Sequence, residues 1–416
     1  MNQPLGIYIH IPFCAARCFY CHFTIDLGRG AIQERYVDAV VREIRRSPEL
    51  HEPSFSRTVD SIYIGGGTPS WIEAKGIKEI LSEIHNRFEV HPAAEITIEV
   101  NPDSLDHEKA SLYRAIGINR VSVGAQSFHD DELKRLGRTH SSGDVHETLQ
   151  MLRSSGFNDI SIDLMAALPQ QSLQSWKNNW KFIEEIRPEH ISLYLFDLDD
   201  ESALGRRVLA SHDRTSTVLA RGENTIPSDK RPIVLPSEEE TVEIYNEAVS
   251  ELRRQGYLHY EISNFAALQK AEPGPAASFI SRHNLKYWNL QPYLGFGCAA
   301  HSFIYPSRWH NENSAESYIR GIEGGESVRR EAETISAARL TEDAFIFGLR
   351  QIAGIRYDTL SEMLGNDARQ LFRRIIDPLI QEGWLLESQN TLRLAPQALL
   401  VSNEIFQQFL GANESD

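Results

Sequence analysis

The chain is poor in cysteine. Its 416 residues contain four, of which Cys14, Cys18 and Cys21 stand within eight residues and the fourth is Cys298. A disulfide framework spreads an even set of cysteines through a short secreted chain. This distribution excludes one and points instead to a metal site in a reducing compartment. Long apolar runs are also missing. No stretch approaches the roughly 20 apolar residues that span a membrane, and the first four residues, Met-Asn-Gln-Pro, carry no basic or apolar segment of a signal peptide. Basic residues are outnumbered, 42 Lys and Arg against 58 Asp and Glu, for a net charge of −16. An acidic surface repels phosphate backbones, so nucleic acid is not an expected partner. The expected location is the cytoplasm. The length asks for two or perhaps three domains.

What is present has a clear order. Short β-branched runs stand at 6–12, 61–64, 95–100, 120–123, 159–164 and 190–195. Stretches of helical spacing lie between them at 32–44, 74–84, 109–115, 144–152 and 173–186. Strand–helix alternation of this kind predicts a parallel sheet with right-handed crossovers. An α/β fold with an incomplete (βα)6 barrel over 1–200 is expected, and a doubly wound sheet is the alternative. In both, reactive residues belong just past the C-terminal strand ends. The unusual residues fall there: the cysteine loop after the first run, Gly65-Gly66-Gly67-Thr68-Pro69 after the second, Glu99-Val100-Asn101-Pro102 at the third, Gln126-Ser127 after the fourth and Asp163 at the fifth.

Residues 201–335 read as a separate region packed on the barrel. The stretch 199–240 is polar, with Pro227, Pro232 and Pro236, and reads as a long surface loop. A helix is expected from Ser237, a cap followed by three glutamates. Residues 276–304, rich in aromatics, glycine and histidine, read as irregular structure near the barrel mouth. From 336 to 416 three helices and a hairpin suggest a small winged-helix-like domain. It holds seven Arg and no Lys against eleven Asp and Glu, which argues against a DNA-binding role.

Cys14-x3-Cys18-x2-Cys21 carries the strongest chemical signal. Thiolates are soft ligands that hold iron–sulfur clusters. A cubane has four irons and this loop offers three sulfurs, so one iron is left for a ligand that is not protein. Zinc is the alternative, with His10 or His22 completing the set, but no second cysteine pair exists.

The stretch Tyr8-Ile9-His10-Ile11-Pro12-Phe13-Cys14-x3-Cys18-x-Tyr20-Cys21-x-Phe23 resembles the cluster loop of the radical SAM superfamily, and more narrowly the branch related to oxygen-independent coproporphyrinogen III oxidase. The resemblance implies a 4Fe–4S cluster on Cys14, Cys18 and Cys21, with S-adenosylmethionine chelating the open iron. It further implies a cofactor cradle of Gly66, Gly67, Thr68, Glu99, Gln126, Arg138 and Asp163, with Tyr8 and Tyr20 nearby. Glycines let carbonyls approach the methionine ammonium, and Arg138 suits its carboxylate. One stretch departs from the pattern: Ala167 and Gln170 stand where relatives have glycine.

Two features distinguish this chain within that branch. The oxidase has a fourth cysteine where Phe23 stands, and a long extension before the first strand. In addition, Ser281-Arg282-His283-Asn284-Leu285-Lys286-Tyr287-Trp288 resembles the His-Asn-x-x-Tyr-Trp motif of the HemW-type haem chaperones. That resemblance implies haem as ligand, held by His283, Tyr287 and Trp288, and transfer to a haem-accepting protein such as a respiratory haem enzyme. Imidazole is a usual axial ligand, and aromatics suit a porphyrin face. A structural histidine in an aromatic cluster is the alternative for His283, and His301 is a second candidate ligand. Cys298 reads as a small buried residue. Turnover of coproporphyrinogen, another haem-modifying radical reaction, and a haem- or iron-sensing regulator are the rival functions.

Overall fold

The computed structural model describes residues 3–21, 23–47, 57–199, 202–208, 233–268, 279–365 and 367–411. Six strands, β1 (Leu5–Ile11), β2 (Thr58–Gly66), β3 (Glu89–Val100), β4 (Arg120–Gln126), β5 (Ile160–Ala166) and β6 (His190–Leu195), pair in parallel with each neighbour in chain order. A doubly wound sheet reverses its strand order at a switch point. The unbroken sequence here selects the incomplete barrel.

The strands alternate by side-chain chemistry. Ile7, Ile9, Ile62, Ile64, Ile96, Ile98, Val121, Val123 and their equivalents on β5 and β6 share one apolar core with Val40, Ile44, Ile77, Ile84, Leu149 and Ile183 of the covering helices. The alternate positions, among them Tyr8, Tyr63, Glu99, Ser122, Asp163 and Ser192, therefore face the concave side. Parallel strands usually read apolar on both faces, so this polar inner face sets the concave side apart from the apolar helix side. Capping boxes start the helices Ser142–Ser154, Leu173–Ile186 and Glu238–Arg254, through Ser141, Ser172 and Ser237.

Further strands extend both edges. The hairpin β7 (Tyr257–Glu261) and β8 (Asn264–Ala267) continues the sheet beyond β6. On the other side β9 (Tyr293–Phe296) runs parallel to β1, followed by β10 (His301–Ile304), β11 (Ser307–Asn311) and β12 (Arg329–Thr334). Residues 279–304 are thus more ordered than expected: they form the helix Arg282–Trp288 and two strands. The C-terminal unit runs helix Ala337–Gly348, β13 (Ile355–Arg356), three helices, then the hairpin β14 (Leu385–Ser388) and β15 (Thr391–Leu394), in strand order β13–β15–β14. That is winged-helix-like. Its own core, around Phe345, Phe372 and Phe409, is fully buried.

Much of 199–240 lies outside the described residues, including Pro227 and Pro232, as does His22. The described part corrects the expectation of a surface loop. Residues 203–208 are helical, and Leu204 and Val208 are buried. Among the described residues no helix is long and apolar enough to cross a membrane.

Candidate functional site

The cysteine loop grows out of β1 and is pinned at both ends. Phe13 is fully buried and meets the Tyr36 ring edge-on at 5.3 Å. Asp26 then closes the loop, its N–H donating to Pro12 O at 2.8 Å while its carbonyl accepts from Cys14 N at 3.0 Å. The middle is held from outside. Phe19 N donates to Leu136 O, Leu204 N donates to Phe19 O, and the Arg207 guanidinium lies over the Phe19 ring at 5.4 Å. The segment expected to be a surface loop therefore clasps the loop that carries the cysteines.

All three cysteines are reduced and partly exposed. Burial pushes the Cys14 thiol up to about 11, and it raises Cys21 as well. Neutral thiols of this kind become ligands when a metal supplies the compensating charge. Among the described residues no three His, Cys, Asp or Glu side chains converge on a single ion. A cubane, whose cysteines go to different irons, does not require such convergence.

Side chains behind the loop join two of the cysteines in one belt. Asn101 Nδ2 donates to Thr68 Oγ1 at 3.0 Å, and Thr68 Oγ1 shares a hydrogen bond with Cys14 Sγ at 3.4 Å in which either group can donate. Asn101 Oδ1 accepts from Arg138 Nη2 at 2.8 Å, and Arg138 Nη1 reaches Cys18 Sγ at 3.5 Å. Arg138 also donates to Gly124 O at 2.9 Å and contacts Tyr20. Its Nε is buried and unpartnered among the described residues. His140 backs it, with Nδ1 3.4 Å from Arg138 Nη2 and Nε2 3.2 Å from Ala125 O. Burial, helped by Arg138, lowers His140 to about 4, so the ring is neutral and accepts at Nδ1. Asn101 and His140 were not singled out as site residues. Both stand inside motifs that were, Glu-Val-Asn-Pro and Leu-Gly-Arg-Thr-His, and a polar residue beside an expected ligand was the signal.

Glycine is required at two points here. Gly66 has φ +120°, and a Cβ there would lie 2.7 Å from the His10 ring. At Gly67 a Cβ would lie 2.7 Å from Pro12 O and 3.0 Å from Cys14 Sγ. Glu99 sits just beyond, accepting from Tyr63 Oη at 2.7 Å and Gly66 N at 3.1 Å. Asp163 accepts from Ser122 Oγ at 3.0 Å. Burial raises Glu99 to about 7 and Asp163 to about 6, and the Asp163 charge adds to the rise at Glu99. Tyr8 Oη is 3.0 Å from His10 Nδ1, and its ring lies 6.3 Å from that of Tyr63. Gln126 ends β4 at φ 65°. Ala167 (φ 60°) and Gln170 (φ 59°) keep the left-handed backbone that glycine would adopt freely. Both residues therefore hold left-handed backbone at a cost in strain.

The helix Arg282–Trp288 lies elsewhere. It was expected near the mouth, but it inserts against the N-terminal halves of β1–β3. The N–H groups of Arg282 and His283 donate to the Glu95 carboxylate at 2.9 and 3.1 Å, and Lys286 pairs with Asp60 at 2.7 Å. His283 is 1 % exposed. Its Nδ1 is 3.0 Å from Ser61 Oγ and its Nε2 is 2.9 Å from Tyr287 Oη, and burial lowers it to about 3. Neither ring nitrogen is available to an iron in this arrangement, which is that of a structural histidine. Tyr287 and Trp288 are partly exposed. His301 is exposed on β10, with its ring 5.2 Å from that of His310. Cys298 is fully buried against Tyr36 Oη at 3.4 Å, as expected of a small core residue.

Comparison with known proteins agrees with this architecture. The Radical SAM superfamily profile matches residues 8–183, and that of the HemN C-terminal domain matches 335–401. The heme chaperone HemW of Bacillus subtilis is 31 % identical over 407 residues, covering 97 % of this chain and 98 % of the relative. That of Escherichia coli is 27 % identical, covering 98 % of both. Among solved structures, the coproporphyrinogen III oxidase HemN of Escherichia coli superimposes with a TM-score of 0.79 at 21 % identity, covering 98 % of this chain and 90 % of that one. This last likeness is one of fold.

Proposed function

The chain belongs to the HemW family of the radical SAM superfamily, and on that premise we propose that it is a cytoplasmic haem chaperone. It binds haem, carries a 4Fe–4S cluster with S-adenosylmethionine, and passes haem to an acceptor protein such as a respiratory haem enzyme. The observation that supports a loaded cluster loop is the belt Cys14–Thr68–Asn101–Arg138–Cys18. It brings a hydroxyl and a guanidinium to two sulfurs, and hydrogen bonds to cluster sulfurs tune such centres.

In this reading Cys14, Cys18 and Cys21 hold three irons. Gly66, Gly67 and Thr68 take the methionine ammonium, and Arg138 pairs with its carboxylate. Glu99, Gln126 and Asp163 meet the rest of the cofactor, with Tyr8 and Tyr20 alongside. A cluster held there would supply reducing chemistry at the sulfonium of the bound cofactor. By their described residues, 1–200 are assigned to the cofactor-binding barrel, 201–335 to a region packed on it, and 336–416 to the winged-helix-like unit. On the haem side Tyr287 and Trp288 offer aromatic surface, while His283 positions them. Phe23, 58 % exposed where the oxidase has its fourth cysteine, stands against the oxidase reading.

The test is an anaerobic haem titration of the reconstituted full chain, followed at the Soret band. Saturable binding, with no protoporphyrinogen formed from coproporphyrinogen III in the presence of S-adenosylmethionine and reductant, is the expected result. A flat titration, or oxidase turnover, would overturn the reading.

A further inference from the structure

The fully buried cations Arg120 and Lys286 have close partners. Arg120, 2 % exposed, pairs with Asp159 at 2.7 Å. Lys286, equally buried, pairs with Asp60. Arg138 is held by Asn101 and Gly124. The half-buried Arg350, just past the helix Ala337–Gly348, is held differently. Its backbone is pinned: the N–H donates to Phe347 O at 3.2 Å and the carbonyl accepts from Ile262 N at 3.0 Å. Its guanidinium lies 4.3 Å from the centre of the Trp288 ring. Among the described residues that guanidinium makes no hydrogen bond and no ion pair, and its Nε is buried without a partner. The buried Trp288 Nε1 is unpartnered as well. Buried N–H groups are rarely left without an acceptor. Here two stand together, one of them charged.

The surroundings say what the acceptor would be. Glu261, the acid whose charge Arg350 feels most, accepts from Asn264 Nδ2 and Ser263 N through Oε1 alone, its Oε2 being buried without a hydrogen-bond partner, and it makes no ion pair with Arg350 among the described residues. Tyr194, 45 % exposed near the end of β6, shares the field of Asp163, Glu261 and Glu99 and also acts on Arg350. Ile262 N donates to Arg350 O at 3.0 Å, and Leu193 N of β6 donates to Ser263 O of the same turn at 2.7 Å, which sets Arg350 and the Trp288 ring it lies over beside the C-terminal half of β6 and its concave-face Tyr194. Burial without a close counter-ion lowers the Arg350 pKa. A planar guanidinium fork matches a carboxylate in shape as well as charge. The rings of Tyr287 and Phe347, 6.4 and 6.3 Å from that of Trp288, add flat apolar surface beside it.

We propose that Arg350 and Trp288 form a carboxylate-binding subsite beside the C-terminal half of β6, occupied by a propionate side chain of the porphyrin. The identity of the occupant rests on the haem reading above. The test compares haem with haem dimethyl ester, in which both propionates are masked, by anaerobic titration of the reconstituted full chain as wild type, Arg350→Gln, Arg350→Lys and Trp288→Phe. The wild type is expected to prefer haem over the ester by about tenfold or more, the scale of one charge-assisted pair. Arg350→Gln should bring haem down to the affinity of the ester. Arg350→Lys should keep part of the preference, and Trp288→Phe, which keeps the ring but loses the N–H, should reduce it. Equal binding of haem and ester by the wild type, or an unchanged preference in Arg350→Gln, overturns the subsite and leaves the haem reading standing. Binding of neither ligand by the wild type overturns both. Should Arg350→Gln not fold, the wild-type ratio and Trp288→Phe decide the matter.

Discussion

The mouth of the barrel and its floor are built from the same kinds of residue and behave in opposite ways. On the floor the polar groups around His283 and Lys286 are answered. His283 uses both ring nitrogens, Lys286 meets Asp60, and the first N–H groups of the helix Arg282–Trp288 meet Glu95. At the mouth the accounts stay open. Arg138 keeps a buried Nε unpartnered, Glu99 and Asp163 are raised towards neutrality, and Gln126 and Ala167 hold left-handed backbone. A saturated network stabilises, whereas an unsaturated and strained one is poised for a ligand. The contrast separates two motifs that look equally functional as strings of letters.

The sharpest test of the contrast is His283→Ala. It removes two buried hydrogen bonds and a ring stacked 5.3 Å from Tyr63, so stability should fall by about 3 kcal/mol in a denaturant titration. The Soret spectrum of any haem bound should keep its shape. A changed spectrum with stability intact would make the floor a ligand site after all. At the mouth, Asn101→Ala should do the reverse. It cuts the belt between Cys14 and Cys18, so S-adenosylmethionine affinity should fall by about tenfold and the electron paramagnetic resonance signal of the reduced cluster should shift, with little change in melting temperature.

A third test uses pH. Burial raises both Glu99 and Asp163 above their unfolded values, so each favours folding when protonated. That stability is complete below the unfolded carboxylate range and is lost as pH rises through about 6 for Asp163 and about 7 for Glu99. Glu99→Gln should flatten the loss in a pH series of denaturant titrations. A wild-type stability that does not change between pH 4 and pH 7 would show that the mouth carboxylates are not so perturbed. The smallest effect belongs to Ala167→Gly, which relieves left-handed strain and should stabilise by about 1 kcal/mol. A destabilisation would mean that the buried methyl group matters more than the backbone.

Much of this was legible in the residues. The six strands fall where β-branched runs predicted them, because burial on the helix side demands an apolar residue at every second position. Ser237 capped its helix as read, since a hydroxyl followed by glutamates satisfies the first-turn N–H groups and the dipole together. Other features were not legible. Residues 279–304 look irregular because the helix Arg282–Trp288 is short, and the strand after it, β9, pairs with β1, nearly 300 residues earlier in the chain. The helical turn at 203–208 is held by Phe19 and its neighbours, and nothing local signals that.

By itself the sequence determined the residue chemistry: three soft thiols within eight residues, glycines where side chains would collide, and acids at successive strand ends. These are properties of residue type and short spacing, which local geometry already constrains. Only the tertiary structure decided which groups are satisfied. It closed both nitrogens of His283 and joined Cys14 to Cys18 through Asn101. It also left Arg350 and Trp288 with nothing to hold. The physical reason is that a hydrogen-bond partner contributed from far along the chain has no trace in local pattern, and burial makes its presence or absence decisive.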